Sequence, residues 1–123
     1  PCFRIVTNVD VEKTVQIAFL KDVSAMLAKQ LRKPEESIMS LPFTVDSYRQ
    51  HDSESDDAGG GNDVPCAQAY LMSLGGLDQN VNKKISNKLA ELLSKHLKIT
   101  SDHYYLHFID AEPWMIGYDG ETF

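Results

Sequence analysis

Two stretches of the chain place apolar residues at the three- and four-residue spacing of an amphipathic helix. The first runs from about residue 14 to residue 32 and stops before Pro34, and the second carries one apolar face from Val81 to Leu97. Each predicted helix is long enough to cross back over a sheet between two parallel strands. We therefore expect two helices that pack against a common layer.

Shorter runs of β-branched, aromatic and aliphatic residues predict the strands of that layer. Pro42 falls inside the second run, and because proline has no N–H for the ladder, we expect this strand at an edge or with a bulge. The predicted strands are residues 3–8, 38–45, 66–74 and 104–109, with 115–118 as a short fifth.

A shift of 66 positions superposes one half of the chain on the other. The shift aligns the apolar positions of the two helices, Val15 with Val81, Phe19 with Ile85, Val23 with Leu89, Leu27 with Leu93 and Leu31 with Leu97. The sequence thus predicts one α/β (α+β) domain over 1–123, built from two copies of a strand-helix-strand unit at about 1–50 and 64–123. Parallel strands within each unit place both helices on one sheet face. A chance alignment of two amphipathic helices is the alternative.

The composition is that of an ordinary globular chain, with 42% hydrophobic and 24% charged residues. The net charge of -6 argues against nucleic acid and anionic membrane surfaces as partners. No apolar run approaches the length of a membrane span, and we expect no signal peptide. Two cysteines, Cys2 and Cys66, are too few for a disulfide framework and favour a reducing compartment.

Two regions outside the helices add to these expectations. Residues 47–63 combine five acidic residues with three consecutive glycines and offer almost nothing to bury, so we expect a solvated loop there. The sheet face opposite the helices should be fairly apolar and is predicted to be covered by association of several copies.

A proline at position 1 is the first candidate for chemistry. We expect removal of an initiator methionine to leave a free secondary amine at Pro1, which the first strand holds in place and which can act as a base. An ordinary α-amine has a pKa of about 7.7–8.0, so only a small fraction is neutral at pH 7. Burial, or a cation such as Lys33, would raise that fraction by at most about tenfold, so positioning must supply most of the catalysis. Pro1 as nothing more than the first residue is the alternative.

Several short motifs, in their order and spacing, resemble the macrophage migration inhibitory factor (MIF) family of the tautomerase superfamily. They are Pro1-Cys2-Phe3, Thr7-Asn8-Val9, Lys33-Pro34, Pro65-Cys66-Ala67, Ser73-Leu74-Gly75 and the closing residues 117–123. The similarity runs from the first residue to the last, with 47–63 as the main departure. It implies a four-stranded mixed sheet of duplicated β-α-β units with two helices on one face, assembled as a homotrimer.

The resemblance also implies a phenylpyruvate or dopachrome tautomerase, an isomerase that needs no cofactor and no metal. It assigns the base to Pro1, the binding of the substrate carboxylate to Lys33, and a backbone N–H donor to Leu74; Ser73 beside it is expected only to line the site. A solvent-exposed lysine at the end of a helix is the alternative for Lys33.

Five further residues match pocket positions of the family. Tyr105 corresponds to a tyrosine from the neighbouring subunit, and His107 stands where many members carry asparagine, on the same strand face. Histidine titrates near neutral pH, so this change bears on the pH profile. Ile116, Tyr118 and Phe123 match apolar walls of the pocket. All five have packing at a subunit interface as the alternative.

The sequence also departs from the family. Residues 66–69 lack the second thiol of a Cys-x-x-Cys pair, so we expect no thiol redox activity. A cytokine-like receptor ligand with a vestigial pocket is the alternative function, and dehalogenation or decarboxylation by Pro1 is a third. The acidic loop either is simply solvated or regulates access and receptor contacts. Proteins of this family occur in the cytoplasm and are secreted without a signal peptide, so both locations stay open.

Overall fold

One mixed sheet and two helices account for most of the structured chain. The computed structural model describes residues 1–41, 44–45 and 64–123. The predicted acidic loop, 47–63, and Pro42 lie outside the described residues. The elements are β1 (Cys2–Thr7), α1 (Lys13–Leu31), β2 (Met39–Ser40), β3 (Thr44–Val45), β4 (Ala67–Ser73), α2 (Gln79–Leu92), β5 (Tyr104–Asp110), β6 (Gly117–Tyr118) and β7 (Glu121–Thr122).

The sheet is four strands wide, as the family resemblance implied. The short strands β2 and β3 both pair in parallel with β1, so together they form one interrupted edge. Next to them β1 runs antiparallel to β4, and β4 runs parallel to β5. Each half of the chain therefore contributes a parallel pair, and the two halves join through the antiparallel contact of β1 with β4. Among the described strands, β2 and β3 pair with β1 alone. This confirms the edge position expected for the strand around Pro42.

Both helices bury four of the five residue pairs that the 66-position shift aligns, whereas the first pair, Val15 and Val81, is partly buried. Each of the eight buried side chains is at most 5% exposed, and they form one core with alternate residues of the strands. Phe3 and Ile5 from β1 and Leu71 from β4 are the largest strand contributions. Two helices on one side of the sheet, and the repeat of the helical faces, are thus confirmed. Within the described part of the chain, neither helix combines the length and apolar character that a membrane span requires.

The repeat extends to the way the two helical segments end. Arg32 closes α1 with φ 57°, and Lys98, which is 66 positions later, adopts φ 59° after a single π-helical turn, Leu93–Leu97, that continues α2. This left-handed conformation is uncommon for residues other than glycine. Here it satisfies the last carbonyls, since the N–H of Lys33 donates to Ala28 (3.1 Å) and that of Ile99 donates to Leu93 (3.2 Å). The chain turns sharply at both places, and at the first it delivers Lys33 toward the end of β4.

An ion pair joins the two helical segments on their outer side. The imidazole Nε2 of His96 lies 2.8 Å from Oδ2 of Asp22, and the Lys95 ammonium lies 3.7 Å from the same oxygen. The hydrogen bond from His96 is the main reason why the pKa of the Asp22 carboxyl is lowered. This contact ties the π-helical turn to the middle of α1.

The predicted strand at 115–118 is only partly correct. Pro113–Met115 form a 3-10 turn, and the strand begins at Gly117, where it pairs with Glu121–Thr122 in a small hairpin. A proline at the first position of a helical turn has a favourable φ, and this favours the turn over an extended start. The hairpin reverses through Asp119 and Gly120, both at positive φ.

The sheet face away from the helices is more polar than the sequence predicted. Its central row runs across the strands through Arg4, Tyr70 and His107, which the register places side by side. The Arg4 guanidinium lies 4.3 Å from the centre of the Tyr70 ring, and the Tyr70 and His107 rings are 6.3 Å apart. Tyr105 on the same face is 80% exposed. This face therefore carries a cationic and aromatic row between its apolar positions.

Candidate active site

Pro1 lies where β1 begins, between two other strands. Its carbonyl accepts a hydrogen bond from the N–H of Met39 (2.8 Å), and the next residue, Cys2, pairs with Met39 on one side and Met72 on the other. Pro1 is partly buried in this position. The first residue is thus fixed by the sheet rather than carried on a loose terminus.

The surroundings of Pro1 favour the neutral amine. Partial burial is the largest cause that lowers the pKa of this amine below its ordinary value, and the positive charge of Lys33 is the second. Cys2 acts in the opposite direction and raises it. The net lowering enlarges the fraction of amine that is free to accept a proton at neutral pH.

Lys33 reaches across the end of the sheet to the residue that follows β4. Its Nζ donates to the carbonyl of Leu74 at 2.9 Å, a contact between positions 41 apart in the chain. Lys33 is half-buried in this position. The structure therefore brings Pro1, Lys33 and Leu74 together at one end of the sheet.

The turn after β4 supplies a backbone donor at this end. Gly75 and Gly76 both have positive φ, 77° and 82°, which glycine adopts without strain. A Cβ built on Gly76 would lie 3.5 Å from Leu31 Cδ2 and 3.8 Å from Lys33 Cε. The N–H of Leu74 donates to no backbone carbonyl within the described loops and turns. A lysine ammonium and an N–H that has no backbone acceptor among the described residues lie beside an amine of lowered pKa, and together they can hold a carboxylate and accept a proton.

Tyr105 lies toward the far end of the sheet from Pro1, and His107 lies midway along β5. The register puts Cys2, Met72 and Ile109 on one level, so Pro1 lies close to the level of Asp110 on β5. From there Tyr105 is five residues along the strand, about 16 Å, and His107 is three residues along, about 10 Å. Two strand spacings of about 4.8 Å each separate the strands as well. Within one chain, therefore, neither side chain comes next to the amine.

Ile116, Tyr118 and Phe123 come together on the C-terminal hairpin. The Tyr118 and Phe123 rings stack with centroids 5.2 Å apart and planes 13° apart, and the N–H of Phe123 donates to the carbonyl of Ile116 (3.2 Å). Tyr118 is 65% exposed and Phe123 is 57% exposed. The three residues form an apolar surface, with Trp114 and Met115 also exposed beside them in the chain.

Ser73, which was expected only to line the site, also makes a hydrogen bond within the turn. Ser73 is fully buried, and its hydroxyl donates to the carbonyl of Gly75 at 2.6 Å. No periodicity marks this role, because Ser73 occupies an ordinary core-facing position of β4. The two glycines that follow were the available signal, since a serine before a tight turn often bonds to its backbone.

The whole chain, residues 1–123, matches the family model described as Macrophage migration inhibitory factor (MIF). The chain belongs to the macrophage migration inhibitory factor family. A MIF homolog of Brugia malayi is 34% identical over 123 residues, covering 100% of this chain and 98% of that protein. A MIF homolog of Trichuris trichiura is 32% identical and covers 100% and 99%.

Solved MIF structures share the fold described above. The MIF of Toxoplasma gondii superposes with a TM-score of 0.84 at 27% identity, covering 100% of both chains. The MIF of Trichinella spiralis does so with a TM-score of 0.79 at 31% identity, again over 100% of both chains. The predicted MIF fold is therefore confirmed, whereas the roles of the individual site residues stay predictions.

Proposed function

We propose that this MIF-family chain is a keto-enol tautomerase of the phenylpyruvate or dopachrome type, with the Pro1 amine as its general base. The observation that carries the proposal is the amine itself, held at the end of a strand with its pKa lowered by burial and by Lys33. A base is most effective when its pKa lies near the working pH. The altered amine meets that requirement better than an ordinary α-amine.

The reaction transfers one proton and shifts two electron pairs. The neutral amine takes a proton from the carbon next to the keto group; the C–H electron pair becomes a C=C bond, and the carbonyl π pair moves onto oxygen. The protonated amine then gives its proton to that oxygen, which completes the enol and restores the base. The reverse sequence converts enol to ketone. No oxidant or reductant enters, because the product is an isomer of the substrate.

Lys33 and the Leu74 N–H bind the substrate carboxylate in this proposal. A 2-keto acid carries its carboxylate next to the ketone, so two donors on the carboxylate fix the position of the carbon that loses the proton. The Lys33 ammonium already reaches the Leu74 backbone at 2.9 Å, so both donors belong to one small region. Charge-assisted hydrogen bonds of this kind are stronger than neutral ones. Holding the substrate in place then supplies much of the rate enhancement.

A second copy of the chain completes the pocket in this proposal. Tyr105 is 80% exposed and about 16 Å along the sheet from the level of Pro1. We therefore assign Tyr105 and His107 to the pocket of a neighbouring subunit in a homotrimer, where they donate to the substrate. The surface of Ile116, Tyr118 and Phe123 forms the apolar wall that accepts a flat aromatic substrate.

The test of the proposal compares three forms of the N-terminus, each verified by mass spectrometry. The form that begins with Pro1 should tautomerise phenylpyruvate, whereas the Pro1→Gly variant and the form that retains a methionine before Pro1 should be nearly inactive. Circular dichroism and native mass should match among the three. Equal turnover of phenylpyruvate by all three forms would refute the proposal.

A second candidate function is a cytokine-like ligand of a cell-surface receptor. It is favoured by the name of the full-length relatives, which describes a factor that inhibits macrophage migration. In that case the pocket is vestigial. Receptor binding that survives Pro1→Gly, together with negligible turnover by the native chain, would support this candidate over the enzyme.

A further inference from the structure

Three consecutive backbone carbonyls around Leu74 each accept a hydrogen bond. The Ser73 carbonyl accepts the N–H of Ala111 (3.0 Å), the Leu74 carbonyl accepts the Lys33 ammonium (2.9 Å), and the Gly75 carbonyl accepts the Ser73 hydroxyl (2.6 Å). The first bond anchors the turn to β5 and the second anchors it to the end of α1. The third closes the turn on itself.

The bond from Ser73 acts on the peptide between Gly75 and Gly76, and it closes the backbone over Leu74. Gly75 and Gly76 have no side chain beyond the hydrogen atoms, and their positive φ lies in a region that glycine enters and leaves freely. Open space surrounds a Cβ built on Gly75, so packing does not restrain this residue. The Ser73 hydroxyl, with its residue 0% exposed, is the fixed point against which the Gly75 carbonyl is held.

We propose that Ser73 is a positioning residue: it holds the carbonyl of the Gly75–Gly76 peptide and so fixes the turn that encloses Leu74, which keeps the Leu74 N–H and the Lys33 ammonium in place to bind one carboxylate together. Its kinetic effect rests on the proposed tautomerase function, whereas its effect on the order of the turn does not. The hydroxyl acts through the backbone and does not touch the substrate.

The kinetic test uses Ser73→Ala, with Ser24→Ala as the matched control. Ser24 also loses a hydroxyl bond, the 3.1 Å contact with Ser40 that joins α1 to β2 away from the turn. The substrates are phenylpyruvate and its methyl ester. Loss of one hydrogen bond predicts a rise of about three- to tenfold in the KM of Ser73→Ala for phenylpyruvate. The kcat and the KM for the ester should change little, and Ser24→Ala should behave as the native chain on both substrates.

A second measurement follows the backbone order of this turn directly and needs no enzyme assay. Backbone ¹⁵N order parameters of Leu74, Gly75 and Gly76 should fall in Ser73→Ala from the value of rigid backbone, about 0.85, and stay unchanged in Ser24→Ala. Unchanged order parameters would overturn the proposal. So would equal losses on the acid and the ester, because that pattern indicates general destabilisation.

The two proposals fail in different ways. If the native chain does not turn over phenylpyruvate, the tautomerase proposal is refuted. The role of Ser73 is then tested by measuring the binding of phenylpyruvate. NMR titration with phenylpyruvate then supports the positioning role if Ser73→Ala binds more weakly than the native chain. It overturns that role if both bind equally.

Discussion

Mixed trimers test whether one site draws on two copies of the chain. Pro1→Gly removes the proposed base and Tyr105→Ala removes the proposed partner contribution, so each variant alone should be nearly inactive. The register places Tyr105 about 16 Å along the sheet from the level of Pro1, too far for both to serve one substrate within a single chain. When the two variants assemble at random, an intact site needs Pro1 from one subunit and Tyr105 from its neighbour.

The expected recovery follows from counting subunits. In an equal mixture each of the two required subunits has the correct residue half of the time, so about a quarter of the sites are intact in a closed ring. Co-refolding or co-expression followed by the phenylpyruvate assay should therefore return about a quarter of native turnover. Native mass spectrometry of the 13.8 kDa chain confirms that mixed trimers have formed. No recovery in confirmed mixed trimers would refute the shared site, and substantial activity of Tyr105→Ala alone would refute the role of Tyr105.

Three further outcomes follow from contacts in the structure. Lys33→Met should raise the pKa of the N-terminal amine and so move the acid limb of the kcat/KM profile to higher pH. It should also weaken the binding of phenylpyruvate but not of its ester, and Lys29→Met should have none of these effects. Gly76→Ala and Gly120→Ala, both at positive φ, should each lower the free energy of unfolding by about 1 kcal/mol in urea titrations, and Gly76→Ala alone should raise KM. Asp22→Asn should lower the free energy of unfolding by about 0.5–1 kcal/mol at pH 7. Because folding depresses the pKa of the Asp22 carboxyl, the difference between variant and native chain should vanish as the pH falls below that pKa. Urea titrations at several pH values measure it.

The predictions that follow from helical periodicity were the most accurate. Buried positions at Phe19 and Val23 recur at Ile85 and Leu89 because the two helices face the same sheet in the same way. A periodic pattern records this burial directly in the sequence. It does not record how a helix ends, so the π-helical turn at 93–97 after α2 was not foreseen.

The site was predicted less completely than the fold. The resemblance singled out Pro1, Lys33 and Leu74, and the structure brings them to one end of the sheet through the hydrogen bond from Lys33 to Leu74. That bond spans 41 positions and depends on the left-handed turn at Arg32, which no local pattern predicts. The hydrogen bond of the buried Ser73 hydroxyl was not foreseen for the same reason, since its partner is a backbone carbonyl.

The uncovered sheet face shows the limit of a composition argument. Arg4, Tyr70 and His107 lie on three different strands, and a sequence does not reveal which residues of separate strands lie side by side. The register does, and it aligns the three into a row in which the guanidinium lies over the Tyr70 ring. A face expected to be apolar therefore has a charged centre.

The pH dependence of kcat/KM for phenylpyruvate tests the central claim most directly, when it is measured beside an NMR titration of the Pro1 amine in the same protein. Activity should fall on the acid side with one ionisation, and its midpoint should match the NMR value and lie below the ordinary α-amine range of about 7.7–8.0. Activity falls on the acid side because protonation of the Pro1 amine removes the group that accepts the proton of the substrate. An acid limb that differs from the amine titration, or that persists unchanged in the form that retains methionine before Pro1, would contradict the account.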